Sequence, residues 1–149
     1  MSSEPENGGE KPQKDLRSIY TETVIDHAQH PRNLGTMEGP DGFASVTGSC
    51  GDTMEIYLRI RNDRILGVSF MTDGCGTTLA AGSMVTELAK GRTVPGALKI
   101  TSEDILNALG GLPEENKHCA ILAADTLRAA LRDYMAFKSQ PWKRAYRPR

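Results

Sequence analysis

The clearest periodicity in the chain runs from Thr53 to Arg61, where Met54, Ile56, Leu58 and Ile60 alternate with Glu55, Tyr57, Arg59 and Arg61. Successive side chains of a strand point to opposite faces, so this pattern predicts a half-buried strand. Asn62-Asp63 supplies a turn, and Arg64 to Met71 returns with Leu66, Val68 and Phe70 on one face. Phe43 to Thr47 reads as an earlier strand of the same antiparallel meander. From Thr77 the period becomes helical, with Leu79, Met84, Val85 and Leu88 as the apolar set and Gly91 as the stop.

Helical signals bracket this sheet. Asp15 is placed to cap a helix from Leu16 to about His30, which Pro31 ends, and the stretch from Asn33 to Asp41 is turn-rich. Thr101 or Ser102 starts a short helix that Gly110-Gly111 stops. Cys119 opens a long amphipathic helix to about Lys138, with Ala120, Ala123, Leu127, Ala130, Leu131 and Tyr134 inward and Asp125, Arg128 and Arg132 toward water. Met84 and Met135 read as core fillers. The expected fold is α+β, a small three-stranded antiparallel sheet covered by about five helices. Residues 1–15 read as a disordered tail, 16–138 as one domain and 139–149 as a basic C-terminal tail.

Composition narrows the function classes. A formal net charge of −1 and an aromatic content of 5% argue against a nucleic-acid surface. No uncharged run approaches the length of a membrane span, the longest being Gly74 to Thr86. The opening MSSEPENGGEKPQKD lacks the apolar run of a signal peptide and is too acidic for a mitochondrial transit sequence. Three cysteines fit poorly with a disulfide framework, so a reducing cytoplasmic setting is expected.

The cysteines carry the chemistry. They occur in SCGD (Ser49 to Asp52), GCGTT (Gly74 to Thr78) and KHCAILAADT (Lys117 to Thr126). Cys50 leaves a strand at a glycine turn, while Cys75 and Cys119 stand at expected helix starts, where the positive end of the helix favours thiolate over thiol. Three thiolates with a carboxylate (Asp52) and a histidine (His118) beside them form a soft donor set with one harder, exchangeable corner. That set suits an iron–sulfur cluster or zinc. The plainer alternatives are ordinary buried cysteines and, for Asp52, a turn cap. His27 and His30 read as helix-end residues without metal chemistry. The absence of any C-x-x-C pair weighs against a thiol redox protein.

Together these blocks resemble the IscU/NifU-type iron–sulfur cluster assembly scaffolds. The resemblance runs from about Tyr20 to Phe137 and includes YTETVIDHAQHPRNLG, SCGD, GCGTTLAAGSM with TELAKG, and HCAILAAD with LRAAL, in the family's order. It implies a scaffold and carrier rather than an enzyme. Cys50, Cys75 and Cys119 would be ligands of a labile 2Fe–2S cluster, and Asp52 or His118 would complete the set or hold iron or zinc in the cluster-free form. His118 either binds metal directly or stands behind a ligand as a donor. Cys119 would receive persulfide sulfur from a cysteine desulfurase, apo iron–sulfur proteins would take the finished cluster, and Tyr20 would serve in pairing two protomers as a cluster-loaded homodimer. The basic tail, with Trp142 and Tyr146, would dock a partner or simply keep the chain soluble.

Two departures bear on partners. Where the family's chaperone-served members carry Leu-Pro-Pro-Val-Lys, this chain has Leu112, Pro113, Glu114, Glu115 and Asn116, which weighs against recognition by the specialised chaperone. The zinc-dependent SufU branch, a sulfur acceptor, has an insertion between the second and third cysteines and lacks the histidine. This chain has no such insertion and keeps His118, which favours the cluster scaffold over that alternative.

Overall fold

The structure is a computed structural model that describes residues 18–140. The expected N-terminal tail, the Asp15 cap and the tail residues Trp142 and Tyr146 lie outside the described residues. Three strands, β1 (Gly42–Thr47), β2 (Thr53–Arg61) and β3 (Arg64–Thr72), form an antiparallel sheet in the order β1-β2-β3. Around it lie α1 (Glu22–Gln29), α2 (Thr77–Ala89), the single turn α3 (Val94–Ala97), α4 (Ser102–Leu109), a 3-10 turn (Glu114–Asn116) and α5 (Lys117–Ser139). Helices α2 and α5 cover one face of the sheet, and α1 packs on α2. Met54, Ile56, Leu58 and Phe70 from the sheet, Val85 from α2 and Leu127 and Leu131 from α5 are fully buried between these layers. The expected three-stranded α+β architecture is therefore the observed one.

Several local expectations fail. Leu66 does not point inward but is 53% exposed, while Ile65 is fully buried. The ladder pairs Arg59 with Gly67 and Ile60 with Ile65, so Leu66 is the extra residue of a bulge, and the alternation read from Leu66 to Phe70 changes face there. Tyr57, expected toward solvent, is only 6% exposed. Its ring tilts against cross-strand Phe43 with centroids 5.0 Å apart, and its hydroxyl donates to Glu55 Oε1. Met135 is exposed rather than core.

The first helix is also not continuous from Leu16. Ser18 and Ile19 are helical, Tyr20 bends, and Thr21 adopts an extended conformation as the N-cap of α1, accepting from the Val24 N–H. The Thr21 hydroxyl in turn donates to the Leu109 carbonyl at the end of α4. A capping threonine outcompetes helix continuation because it satisfies an otherwise orphaned N–H.

The expected start and stop of α4 hold. Thr101 and Asp104 form a reciprocal capping box, and Gly110 ends the helix in the left-handed conformation. Helix α5 begins at Lys117 after the 3-10 turn, two residues earlier than expected, which leaves Cys119 within its first turn. Among the described residues no helix is long and apolar enough to cross a membrane.

Candidate cluster-binding site

In an antiparallel meander the end of β1, the start of β2 and the end of β3 share one edge of the sheet. The β1–β2 turn carries Cys50 and Asp52, and the β3–α2 loop carries Cys75. The turn is tight: the Gly48 N–H donates to the Asp52 carbonyl at 2.8 Å, the Gly51 N–H to the Gly48 carbonyl, and Gly51 takes φ of 94°. That backbone angle is open to glycine and strained for most other residues. Loop and turn are tied together, because the Thr53 N–H donates to Asp73 Oδ1 and the Thr72 hydroxyl to the Thr53 carbonyl.

The first turn of α5 supplies the third segment. Cys119 Sγ lies 3.3 Å from Thr77 Oγ1 and 3.4 Å from Thr78 Oγ1, both in the first turn of α2. His118 Nε2 is 3.7 Å from the same sulfur. The Thr78 hydroxyl donates to Asp52 Oδ2 at 2.9 Å. Cys119, Thr78, Asp52 and His118 thus form one connected group drawn from three segments distant in sequence. In the sequence Thr77 and Thr78 stand out only as the end of the GCGTT block and the start of a helical period. Their signal there was their position in the first turn after a cysteine, but which helix they would face was not readable.

The three sulfurs differ in environment. Cys119 is buried at 2% exposure, whereas Cys50 and Cys75 are exposed. Among the described residues, no three of His, Cys, Asp and Glu are gathered closely enough to hold a metal ion as they stand. The thiols of Cys50 and Cys75 sit on loops next to glycine, and three thiols with a carboxylate and an imidazole are donor types that fit a cluster.

Cys75 also lines a cavity of about 370 Å³ with Tyr20, Val24, Ile25, Ala28 and Asn116. There the Tyr20 hydroxyl donates to Asn116 Oδ1 at 3.3 Å, which links the N-terminal tyrosine to the segment that departs from Leu-Pro-Pro-Val-Lys.

The other histidines stand elsewhere. His27 lies on the buried face of α1 with Nδ1 2.7 Å from Ser83 Oγ of α2, and burial, followed by the neighbouring Arg32 charge, lowers its pKa below the ordinary histidine value. His30 is the C-cap residue of α1. The Pro31-Arg32-Asn33 turn has a structural explanation. Asn33, in the left-handed region, donates from Nδ2 to Thr86 Oγ1 and Glu87 Oε2, and its carbonyl accepts from the Phe70 N–H.

Comparison with known proteins agrees with this architecture. Residues 19–140 match the NifU-like N terminal domain family. The chain is 48% identical over 117 residues to iron-sulfur cluster assembly scaffold protein IscU 1 of Archaeoglobus fulgidus, covering 78% of this chain and 76% of that protein. It is 41% identical over 119 residues to the scaffold protein IscU of Aquifex aeolicus, with the same coverage of 78% and 76%. In structure it resembles the N-terminal part of a NifU-like protein from Brucella abortus, with a TM-score of 0.64 at 20% identity, covering 81% of this chain and 97% of that one. The family match over nearly all the described residues, and relatives this similar over most of their length, place the chain in the NifU-like N-terminal domain family.

Proposed function

We infer that this protein is an iron–sulfur cluster assembly scaffold, on which a labile 2Fe–2S cluster is built as cargo and then handed to apo-proteins. The observation that carries the reading is the convergence of three cysteine segments on one edge of the sheet, with Asp52 linked to Cys119 through Thr78. Relatives at 48% and 41% identity that bear the scaffold name support it.

Cys50, Cys75 and Cys119 are assigned as thiolate ligands, with Asp52 or His118 at the fourth position. A carboxylate is a harder donor than a thiolate and a poorer match to the cluster, so the Asp52 corner opens first. An acceptor cysteine then enters there and the cluster moves by ligand exchange. Iron alone, or zinc, would occupy the same donors in the cluster-free form. A cysteine desulfurase supplies sulfur as a persulfide: the receiving thiolate attacks the outer sulfur, the S–S bond breaks, and the desulfurase thiolate leaves. Cys119 is assigned as the receiver, in a cytoplasmic protein that pairs into a homodimer through the Tyr20 region once loaded.

One observation favours a different receiver. Cys119 is 2% exposed while Cys75 is open to solvent, so direct access favours Cys75 unless the α2–α5 contact opens first. Mass spectrometry after reaction with desulfurase and cysteine decides this: added sulfur on Cys119, lost in Cys119→Ser, is expected, and sulfur mainly on Cys75 reverses the assignment.

The test of the whole reading is anaerobic reconstitution with iron, cysteine, desulfurase and a thiol reductant, which supplies the two electrons that turn each persulfide sulfur into sulfide. A brown 2Fe–2S chromophore is expected. A stoichiometric zinc ion that resists replacement by iron would instead indicate a zinc-loaded sulfur acceptor. Asp52→Ala is expected to give a cluster that survives longer and transfers more slowly, followed by absorbance. Equal transfer rates in variant and wild type would remove Asp52 from this role.

A further inference from the structure

Buried threonines in helices of this protein return their hydroxyls to their own backbone. Thr126 Oγ1 donates to the Leu122 carbonyl at 2.7 Å, and Thr86 Oγ1 to the Ser83 carbonyl at 2.7 Å. This is the ordinary use of a helical threonine. Thr78 is equally buried at 2% exposure, yet its hydroxyl crosses to Asp52, twenty-six residues earlier in sequence. The same oxygen is 3.4 Å from Cys119 Sγ.

We propose that Thr78 is a positioning residue that holds Asp52 and Cys119 on a single hydroxyl, setting the carboxylate corner beside the buried sulfur before the cluster arrives. This rests on the scaffold reading above. A hydroxyl offers one proton and two lone pairs, and a carboxylate only accepts. The proton of Thr78 therefore serves Asp52, and the Thr78 oxygen accepts from Cys119 in its thiol form, the state that precedes cluster binding. The backbone fixes the arrangement from below, since the Thr78 N–H donates to the Cys75 carbonyl at 2.9 Å and locates the hydroxyl relative to the second cysteine.

Gly74 makes the approach possible. A Cβ at that position would stand 2.7 Å from Asp52 Oδ2 and 2.8 Å from Thr78 Cβ, which neither group can accommodate without shifting. Three cysteine segments thus meet through one side chain that is not itself a ligand. Preorganising a weak corner ligand in this way avoids the cost of recruiting it from solution at each cycle.

Thr78→Val removes the hydroxyl and keeps the branched shape, and Thr78→Ser restores the hydroxyl. Two measurements test the proposal. The first is the rate of cluster transfer from reconstituted protein to an apo 2Fe–2S acceptor. Thr78→Val is expected to slow transfer roughly fivefold, the factor carried by about one hydrogen bond, with Thr78→Ser near wild type. The double variant Thr78→Val/Asp52→Ala is expected to be no slower than Asp52→Ala alone, because Thr78 acts through Asp52. Multiplying effects in the double variant would overturn the proposal.

The second measurement is the alkylation rate of Cys119 by iodoacetamide in cluster-free protein, read by peptide mass spectrometry. Loss of the hydroxyl that packs on Sγ is expected to raise that rate severalfold in Thr78→Val and not in Thr78→Ser. An unchanged rate overturns the positioning role on its own. Should Thr78→Val fail to fold, Asp52→Ala serves in its place: freeing Thr78 from its anchor is expected to raise the Cys119 rate in the same direction, and no change overturns the proposal. If wild-type protein takes up no cluster at all, the scaffold reading fails, while the alkylation series still reports on Thr78.

Discussion

Between α1 and α2, His27, Ser83, Arg32, Asn33 and Thr86 form a closed set of hydrogen bonds, whereas at the cysteine edge of the sheet similar residue types stop short of closure. In the first region Ser83 Oγ takes the Arg32 N–H at 2.8 Å and sits 2.7 Å from His27 Nδ1, and Thr86 receives Asn33 while donating to the Ser83 carbonyl. In the second, His118 stands 3.7 Å from a sulfur, and two of the three thiols face solvent. Polar groups whose bonding capacity is spent inside the fold hold it together. Those with capacity left over are available to a cargo.

The difference makes opposite demands on substitution. The hydrogen-bonded set around Ser83, here called the lock, should resist change for reasons of stability, and the exposed Cys50 and Cys75 for reasons of chemistry. The largest expected stability effect lies beside the lock, at Gly82, where an added Cβ would meet the buried ring of Phe70 at 2.4 and 2.5 Å. Gly82→Ala is expected to cost about 3 kcal/mol in denaturant unfolding, the upper end for overpacking a well-filled core. A loss near zero would mean that α2 and β3 slide freely and that the lock does not fix them.

Next in size is Ser83→Ala. It strands the Arg32 N–H and the His27 ring in a buried site, and about 1–2 kcal/mol of destabilisation is expected by the same measurement.

The pH dependence sharpens the point. Burial lowers the pKa of His27 in the folded protein below its ordinary value near 6.5, so below that pH the unfolded chain binds a proton that the folded chain resists. Stability is therefore full above about pH 6.5 and falls as the pH drops through and below it. Melting temperature followed from pH 7.5 to 5.5 should decline less in His27→Gln than in wild type, and parallel curves would deny His27 this part.

The smallest stability effect belongs to the cysteine edge. Cys75→Ser at its exposed loop position is expected to change unfolding free energy by less than about 0.5 kcal/mol. The same variant is expected to lose the chromophore of the reconstituted protein. A large loss of stability would erase the contrast between the two regions.

The sheet was largely readable because alternation along β2 is a local property of nine residues, each facing a layer of uniform character. Where a residue's face depended on a neighbour, the reading failed. Leu66 was misplaced because a bulge shifts the register by one residue, and Tyr57 because its partner Phe43 lies on another strand. The break at Tyr20 and Thr21 had the same origin, since Thr21 is held by a carbonyl of α4 as well as by its own cap.

By itself the sequence determined the donor types, their order, the start and stop of α4 and the family, because these are written in residue identity and short-range spacing. Only the tertiary structure decided that the β1–β2 turn, the β3–α2 loop and the first turn of α5 share one edge, that Cys119 is buried while Cys50 and Cys75 are open, and that Thr78 joins Asp52 to the sulfur. The physical reason is range. A hydrogen bond between side chains 41 residues apart exists only after two helices and a sheet have packed, and no local pattern encodes the distance across that packing.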